Sequence, residues 1–86
     1  MPHVIVKIVP GKPPQQMQQL AKAIVRDVTT ILGSGQDAVT VGVEEVDPAD
    51  WLSRVYGPDI AERWDSLLKR PGYGPGPSSA NERQAS

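Results

Sequence analysis

The residues His3-Val4-Ile5-Val6-Lys7-Ile8-Val9 form a stretch rich in β-branched side chains, with no glycine or proline inside it. Such a stretch predicts a β-strand. Its two alternating sets of side chains both contain apolar residues, which is typical of a strand covered on both faces. The prolines and glycine of residues 10–14 then end the strand.

An amphipathic helix is predicted after this strand, over residues 15–32. Pro13 and Pro14 stand where a helix can begin, because its first turn needs no backbone donor. Gly33 is a typical left-handed cap at the other end. Apolar side chains recur every three or four residues between them, which places them on one helical face. They are Met17, Leu20, Ala21, Ile24, Val28, Ile31 and Leu32.

Residues 38–46 carry valine at alternate positions and predict a second strand. Strand, helix and strand in this order predict a right-handed βαβ unit with parallel strands, and therefore an α/β fold. After it, Asp47 and Pro48 suit the first positions of a short helical turn. A second short helix is predicted from about Pro58 to Lys69.

The domain is predicted to span residues 1–73. Residues 74–86 are rich in glycine, proline and serine, and we expect them to form a disordered tail. A chain of 86 residues without cysteine has room for one small core and has no disulfide to stabilise it. Oligomerisation is the remaining route to stability. The small core favours a homodimer in which two protomers form a four-stranded sheet with helices packed on it, and the choice between a dimer and a hexamer rests on the resemblance given below.

The charge and hydropathy of the chain exclude several classes of function. The net charge is −1, whereas general nucleic-acid binding requires a basic surface. No apolar run approaches the roughly 18 residues that cross a membrane, and the N-terminus lacks the features of a signal peptide. These observations predict a cytoplasmic protein that binds neither nucleic acid nor membrane.

Most motifs of catalysis and cofactor binding are absent from the sequence. There is no GxxxxGK, GxGxxG or GxSxG pattern, and one histidine without cysteine excludes His-rich metal sites and nucleophilic triads. The acidic residues at 44, 45, 47 and 50 fit no metal-binding loop and are interpreted as solvated carboxylates. We predict neither a metal nor a cofactor.

The N-terminus is the remaining candidate for chemistry. Met1 precedes Pro2, a small residue that normally permits removal of the initiator methionine. The new N-terminus would be a secondary amine, and an apolar pocket would lower its pKa because burial disfavours the charged form. A neutral amine at pH 7 suits general-base catalysis. Taken alone, however, Pro2 is more often simply a common second residue.

The order of these features changes that interpretation. Met1-Pro2-His3-Val4-Ile5-Val6-Lys7-Ile8, the turn at 10–12, the amphipathic helix and the second strand resemble the 4-oxalocrotonate tautomerase superfamily. The stretches at 47–51, Asp-Pro-Ala-Asp-Trp, and at 68–73, Leu-Lys-Arg-Pro-Gly-Tyr, resemble its dimeric bacterial branch that acts on phenylpyruvate-type enols.

The resemblance implies an isomerase, a keto–enol tautomerase that needs no cofactor. Pro2 would take the hydroxyl proton of a 2-hydroxy-alkenoate and return a proton to carbon, giving the 2-keto acid. Lys12 matches a family arginine that binds the substrate carboxylate, although lysine lacks the bidentate fork. Thr40 matches a second family arginine and cannot supply a cation. The implied substrate is therefore a small enol or keto acid with one carboxylate.

Trp51 is the predicted apolar wall of the substrate pocket, where it would exclude water and stack on an aryl group. Packing in the core or at an interface is an equally open role for Trp51. Tyr56 and Tyr73 are expected to pack or to anchor the tail. Two alternative functions also stay open: dehalogenation or decarboxylation by the same proline, and a catalytically silent dimerisation or ligand-binding module.

Overall fold

A computed structural model of the chain describes residues 1–78. Strand β1 (His3–Ile8), helix α1 (Pro14–Leu32), strand β2 (Thr40–Glu45) and helix α2 (Leu52–Ala61) follow one another. Short 3₁₀ turns lie at Gln36–Ala38, Pro48–Asp50 and Trp64–Ser66. The chain divides into two compact units, Met1–Glu45 and the part that begins at Val46.

The first unit is the predicted βαβ unit. Strands β1 and β2 pair in parallel, with a register that runs from His3 opposite Thr40 to Ile8 opposite Glu45. Each strand is shorter than predicted. Val9 leaves β1 because it precedes Pro10, which restricts its backbone and offers no N–H to a ladder. Ala38 belongs to a 3₁₀ turn, where its N–H bonds to the Gly35 carbonyl at 3.0 Å.

Helix α1 begins and ends at the residues that suit those positions. Pro13 precedes its first residue, and Gly33 caps it in the left-handed conformation with φ of 71°. The Gly33 N–H donates to the Thr29 carbonyl at 3.0 Å. No side chain of α1 is buried, and Ile31 and Leu32 on its predicted apolar face are 77% and 66% exposed.

The second unit corrects the predicted second helix. Helix α2 is a π-helix over Leu52–Ala61 with Pro58 inside it, whereas the sequence predicted a helix beginning at Pro58 and reaching Lys69. Past α2, the Trp64 carbonyl accepts a hydrogen bond from Arg70 Nε at 3.1 Å. A continuing α-helix would need that carbonyl for the Leu68 N–H. Leu68 is instead fully exposed.

Four apolar side chains are buried among residues 1–78, and all of them lie in the second unit. They are Val46, Val55, Tyr56 and Ala61. The predicted cap is also present there, since the Asp47 carboxylate accepts the Ala49 N–H at 2.9 Å. Within residues 1–78, no helix combines the length and the apolar character needed to cross a lipid bilayer.

The predicted tail begins within hydrogen-bonded structure. The Gly76 N–H donates to Tyr56 Oη at 3.0 Å, and the Ser78 N–H donates to the Ala61 carbonyl at 3.1 Å. Residues 79–86 lie outside the described residues, and the disorder predicted for them stays a prediction.

Candidate active site

Pro2 lies at the N-terminal end of the sheet. It is half-buried, and its carbonyl accepts the Thr40 N–H at 3.1 Å. Met1 before it is fully exposed. The parallel pairing thus holds the peptide that follows the Pro2 ring, while Met1 projects into solvent.

The side chains of His3 and Thr40 face one another beside Pro2. The two residues are opposite in the register of the sheet, and His3 Nδ1 and Thr40 Oγ1 form a hydrogen bond. Both residues are exposed. The structure therefore brings Pro2 and Thr40 together, as two of the four predicted site residues, and adds His3 to them.

Lys12 lies in an open cleft at the other end of the sheet. The cleft has a volume of about 390 Å³, and Lys12 is the one cationic residue of its lining. Its other lining residues are Pro14, Met17, Gln18, Val43 and Glu45. No ion pair within the described part of the chain engages Lys12, so its ammonium is available to an anionic ligand.

Sequence reasoning missed the part of this cleft that β2 contributes. Val43 and Glu45 are two residues apart on one strand, and side chains at this spacing share a face of a sheet. The alternation of the strand thus contained the signal. What it lacked was the tertiary packing that sets this face beside the start of α1, where Lys12, Pro14 and Met17 lie.

The Pro2 end and the Lys12 end of the first unit are well separated. Thr40 pairs beside Pro2, whereas Glu45 lines the Lys12 cleft. The five residue steps between them at about 3.3 Å each span roughly 17 Å. Val43, the nearer cleft residue on β2, is three steps or roughly 10 Å from Thr40 along the strand.

Trp51 belongs to the second unit and is half-buried. Its indole Nε1–H donates to Tyr73 Oη at 3.0 Å. The rings of Tyr73 and Tyr56 meet edge to face with centroids 5.5 Å apart, and Tyr56 Oη donates to the Tyr73 carbonyl at 3.1 Å. These contacts confirm the packing and anchoring roles predicted for the two tyrosines.

The acidic residues near the end of β2 form no metal site in the structure. Among residues 1–78, no three side chains of the ligating types stand close enough to hold an ion. Glu44, Glu45, Asp47 and Asp50 are all exposed, in agreement with solvated carboxylates. The expected independence from a metal or cofactor stays a prediction.

Comparison with known families bears on what this site can do. The family model described as "Tautomerase enzyme" matches residues 2–57, from Pro2 through β1, α1, β2 and Trp51. The chain belongs to the tautomerase family. The resemblance seen in the sequence is thereby confirmed, and with it the 4-oxalocrotonate tautomerase superfamily.

Bacterial tautomerases are similar over most of their length. A "Probable tautomerase" of Xylella fastidiosa (strain 9a5c) is 47% identical over 74 residues, which cover 86% of this chain and 90% of that protein. "Tautomerase PptA" of Cronobacter sakazakii (strain ATCC BAA-894) is 36% identical over 74 residues, covering 85% and 97%. A tautomerase-type, isomerase activity is supported for this member of the family.

Solved structures share the tautomerase fold. TomN, described as a 4-oxalocrotonate tautomerase homologue in the tomaymycin biosynthetic pathway, is similar with a TM-score of 0.55 and 30% identity, covering 99% of this chain and 97% of TomN. YwhB, described as a homologue of 4-oxalocrotonate tautomerase, gives a TM-score of 0.53 and 26% identity over 54% and 75%. The predicted βαβ tautomerase fold is confirmed.

Proposed function

We propose that this tautomerase interconverts enol and keto forms of small 2-oxo monocarboxylates, with Pro2 as the general base once Met1 is removed. The observation that carries the proposal is the hydrogen bond from the Thr40 N–H to the Pro2 carbonyl at 3.1 Å. This bond fixes the Pro2 carbonyl, and with it the adjoining pyrrolidine ring, at the N-terminal end of the sheet. The nitrogen, which Met1 acylates, would become a free secondary amine in a defined position once Met1 is removed.

The reaction moves one proton and needs no redox partner. The neutral Pro2 amine takes the proton of the 2-hydroxyl group of a 2-hydroxy-alkenoate. The oxygen lone pair forms the C2 carbonyl as the C2–C3 double bond electrons take a proton from the Pro2 ammonium at C3. Positioned proton transfer of this kind contributes about 10²- to 10⁴-fold to rate.

Lys12 supplies the carboxylate-binding charge in this proposal. Pro2 precedes β1 and Lys12 follows it, so the two lie towards opposite ends of the sheet in one protomer, and we assign the lysine that meets a substrate at Pro2 to a second copy. A homodimer with a four-stranded sheet provides that copy. The exposed apolar side chains of Ile5, Ile31 and Leu32 support such a pairing, because they remain uncovered in one protomer.

The substrate class follows from the charges of the proposed site. Thr40, next to Pro2, is neutral, so Lys12 is the proposed cation and it matches one carboxylate. We assign Trp51 to the apolar wall that receives the aryl or alkyl tail. Trp51 is half-buried, so part of this large apolar residue stays accessible to a ligand.

The test is the ketonisation of enol phenylpyruvate by protein whose intact mass shows that Met1 is absent. Turnover well above the buffer rate supports the proposal. The matched control is the same chain carrying a one-residue N-terminal extension, which turns the Pro2 nitrogen into an amide without altering any other side chain. Equal rates for both chains would rule out Pro2 as the base.

A further inference from the structure

The C-terminal strap, residues 71–78, folds back onto the buried tyrosine of the second unit. Tyr56 is 1% exposed, and its hydroxyl both donates to the Tyr73 carbonyl and accepts the Gly76 N–H. The Ser78 N–H adds a bond to the Ala61 carbonyl. The strap is therefore held at three backbone positions by the buried part of its own unit.

Tyr73 is the residue of the strap that reaches Trp51. The Tyr73 side chain is 54% exposed, yet its ring edge is packed against Tyr56 and its oxygen accepts the Trp51 indole N–H at 3.0 Å. The indole has a single donor, so this bond selects one orientation of the ring plane. Burial alone does not hold a half-exposed indole in one rotamer.

We propose that Tyr73 is a positioning residue that orients Trp51 and thereby sets the preference for aryl substrates. The inference rests on the proposed function, in which Trp51 bounds the substrate tail. The strap transmits the fixed position of Tyr56 through Tyr73 to the indole. An oriented ring face stacks on a flat substrate, whereas a rotating one does not hold that geometry.

The first test observes the indole directly, without substrate. The two tryptophans give two indole N–H signals in a ¹H–¹⁵N correlation spectrum, assigned with the variant Trp51→Phe. In Tyr73→Phe, which removes only the phenolic oxygen, we expect the Trp51 signal to shift and its exchange with solvent to accelerate severalfold. The Trp64 signal is the internal control. An unchanged Trp51 signal and exchange rate would overturn the proposal.

The second test measures substrate preference. The ratio of kcat/KM for enol phenylpyruvate to that for enolpyruvate is expected to fall about three- to tenfold in Tyr73→Phe, mainly through KM, as for the loss of one hydrogen bond. Trp51→Ala should lower the same ratio at least as far. If Trp51→Ala lowers the ratio and Tyr73→Phe leaves it unchanged, the positioning role is wrong while the proposed function stands.

Failure of the proposed function has a different signature. If removal of Met1 brings no ketonisation of either substrate, the Pro2 assignment fails, and the indole measurement still decides whether Tyr73 orients Trp51. If ketonisation occurs but Trp51→Ala leaves the ratio unchanged, the aryl role of both residues is overturned together.

Two glycines of the strap provide a matched pair of variants. Gly74 and Gly76 have positive φ values of 87° and 91°, so alanine strains the backbone at either position. A Cβ at Gly74 would lie 2.3 Å from the Tyr56 ring, whereas a Cβ at Gly76 meets no atom within 4 Å. Gly74→Ala should reproduce the indole changes of Tyr73→Phe, and Gly76→Ala should do so much less. The reverse order would contradict transmission through the strap.

Discussion

The two units of this tautomerase differ in how clearly their sequences predict secondary structure and in how many side chains they bury. The βαβ unit has the clear periodicity and contains Pro2, Lys12 and Thr40, yet none of its residues is fully buried. The unit that begins at Val46 has a weak pattern and contains all four buried side chains of the described chain. The regular apolar pattern of the first unit thus coincides with exposed apolar side chains, whereas the buried side chains lie in the less regular unit.

The difference also separates chemistry from support. In the first unit, backbone pairing places Pro2 and Thr40 side by side and leaves apolar residues such as Ile31 uncovered. In the second, the Tyr56 hydroxyl bonds to the Tyr73 carbonyl and the Gly76 N–H, and the Tyr73 hydroxyl accepts the Trp51 indole N–H. Substitutions in the first unit should therefore act mainly on activity and association, and those at the buried residues of the second unit mainly on stability.

The largest expected effect on stability comes from truncation at Tyr56. Tyr56→Ala removes a ring that is 1% exposed, and loss of a large buried aromatic side chain costs about 3–5 kcal/mol of unfolding free energy. Because that change can unfold so small a protein, Tyr56→Phe is the graded variant, with an expected loss of about 1–2 kcal/mol. Urea denaturation followed by circular dichroism measures both.

The matched truncation in the first unit is Ile31→Ala. Its side chain is 77% exposed, so unfolding of the isolated chain should change by less than about 0.5 kcal/mol. Comparable losses at Ile31 and Tyr56 in dilute protein would abolish the distinction between the two units.

Pro2→Ala should have the largest effect on activity. We expect kcat/KM for enol phenylpyruvate to fall at least about 100-fold, because a flexible primary amine replaces a fixed secondary one. The unfolding midpoint should stay unchanged, since the carbonyl at position 2 still accepts the Thr40 N–H. Steady-state kinetics measures the expected fall in kcat/KM, and a melting curve measures the unfolding midpoint. Retained turnover would refute the assignment of Pro2 as the base.

The alanine variants of Gly74 and Gly76 sharpen the comparison within the second unit. Gly74→Ala combines a positive φ with a clash against Tyr56 and should cost about 2–4 kcal/mol of unfolding free energy. Gly76→Ala carries the backbone strain alone, at about 1–2 kcal/mol. The difference in unfolding free energy between the two variants, measured by chemical denaturation, isolates the contribution of the clash. Neither substitution is expected to weaken association between chains.

Lys12→Ala is expected to show the smallest of these effects. Loss of one exposed charge contact should raise KM for a carboxylate substrate about three- to tenfold, with partial recovery in Lys12→Arg. Unchanged KM in Lys12→Ala would remove the lysine from the site.

Mixing variants tests whether Lys12 acts across chains. In a dimer assembled from Pro2→Ala and Lys12→Glu protomers, one of the two sites combines an intact Pro2 with an intact Lys12 of the other chain. An equimolar mixture should therefore restore about a quarter of the intact sites and, at substrate well below KM, exceed the mean activity of the two parents. No recovery after exchange of the protomers, verified by mass spectrometry, would contradict a shared site.

Local pattern was sufficient for the βαβ unit and insufficient for the second helix. The ends of α1 could be predicted because Pro13, Pro14 and Gly33 act through their own backbone preferences. The stripe that includes Ile60 and Trp64 predicted an α-helix, but α2 ends at Ala61, and the Trp64 carbonyl accepts the Leu67 N–H at 3.3 Å and Arg70 Nε at 3.1 Å. The bond from Arg70 joins a side chain to a carbonyl six residues earlier, and the helical periodicity of the sequence does not predict such a contact.

The sequence by itself determined the parallel βαβ fold, the candidate Pro2 and Lys12, and the tautomerase family, because these depend on residue type, order and short-range spacing. Only the tertiary structure decided that Thr40 bonds to Pro2, that Val43 and Glu45 join the Lys12 cleft, and that Tyr73 holds Trp51. The physical reason is that strand register and hydrogen bonds between residues 22 or 37 positions apart depend on how the whole chain packs.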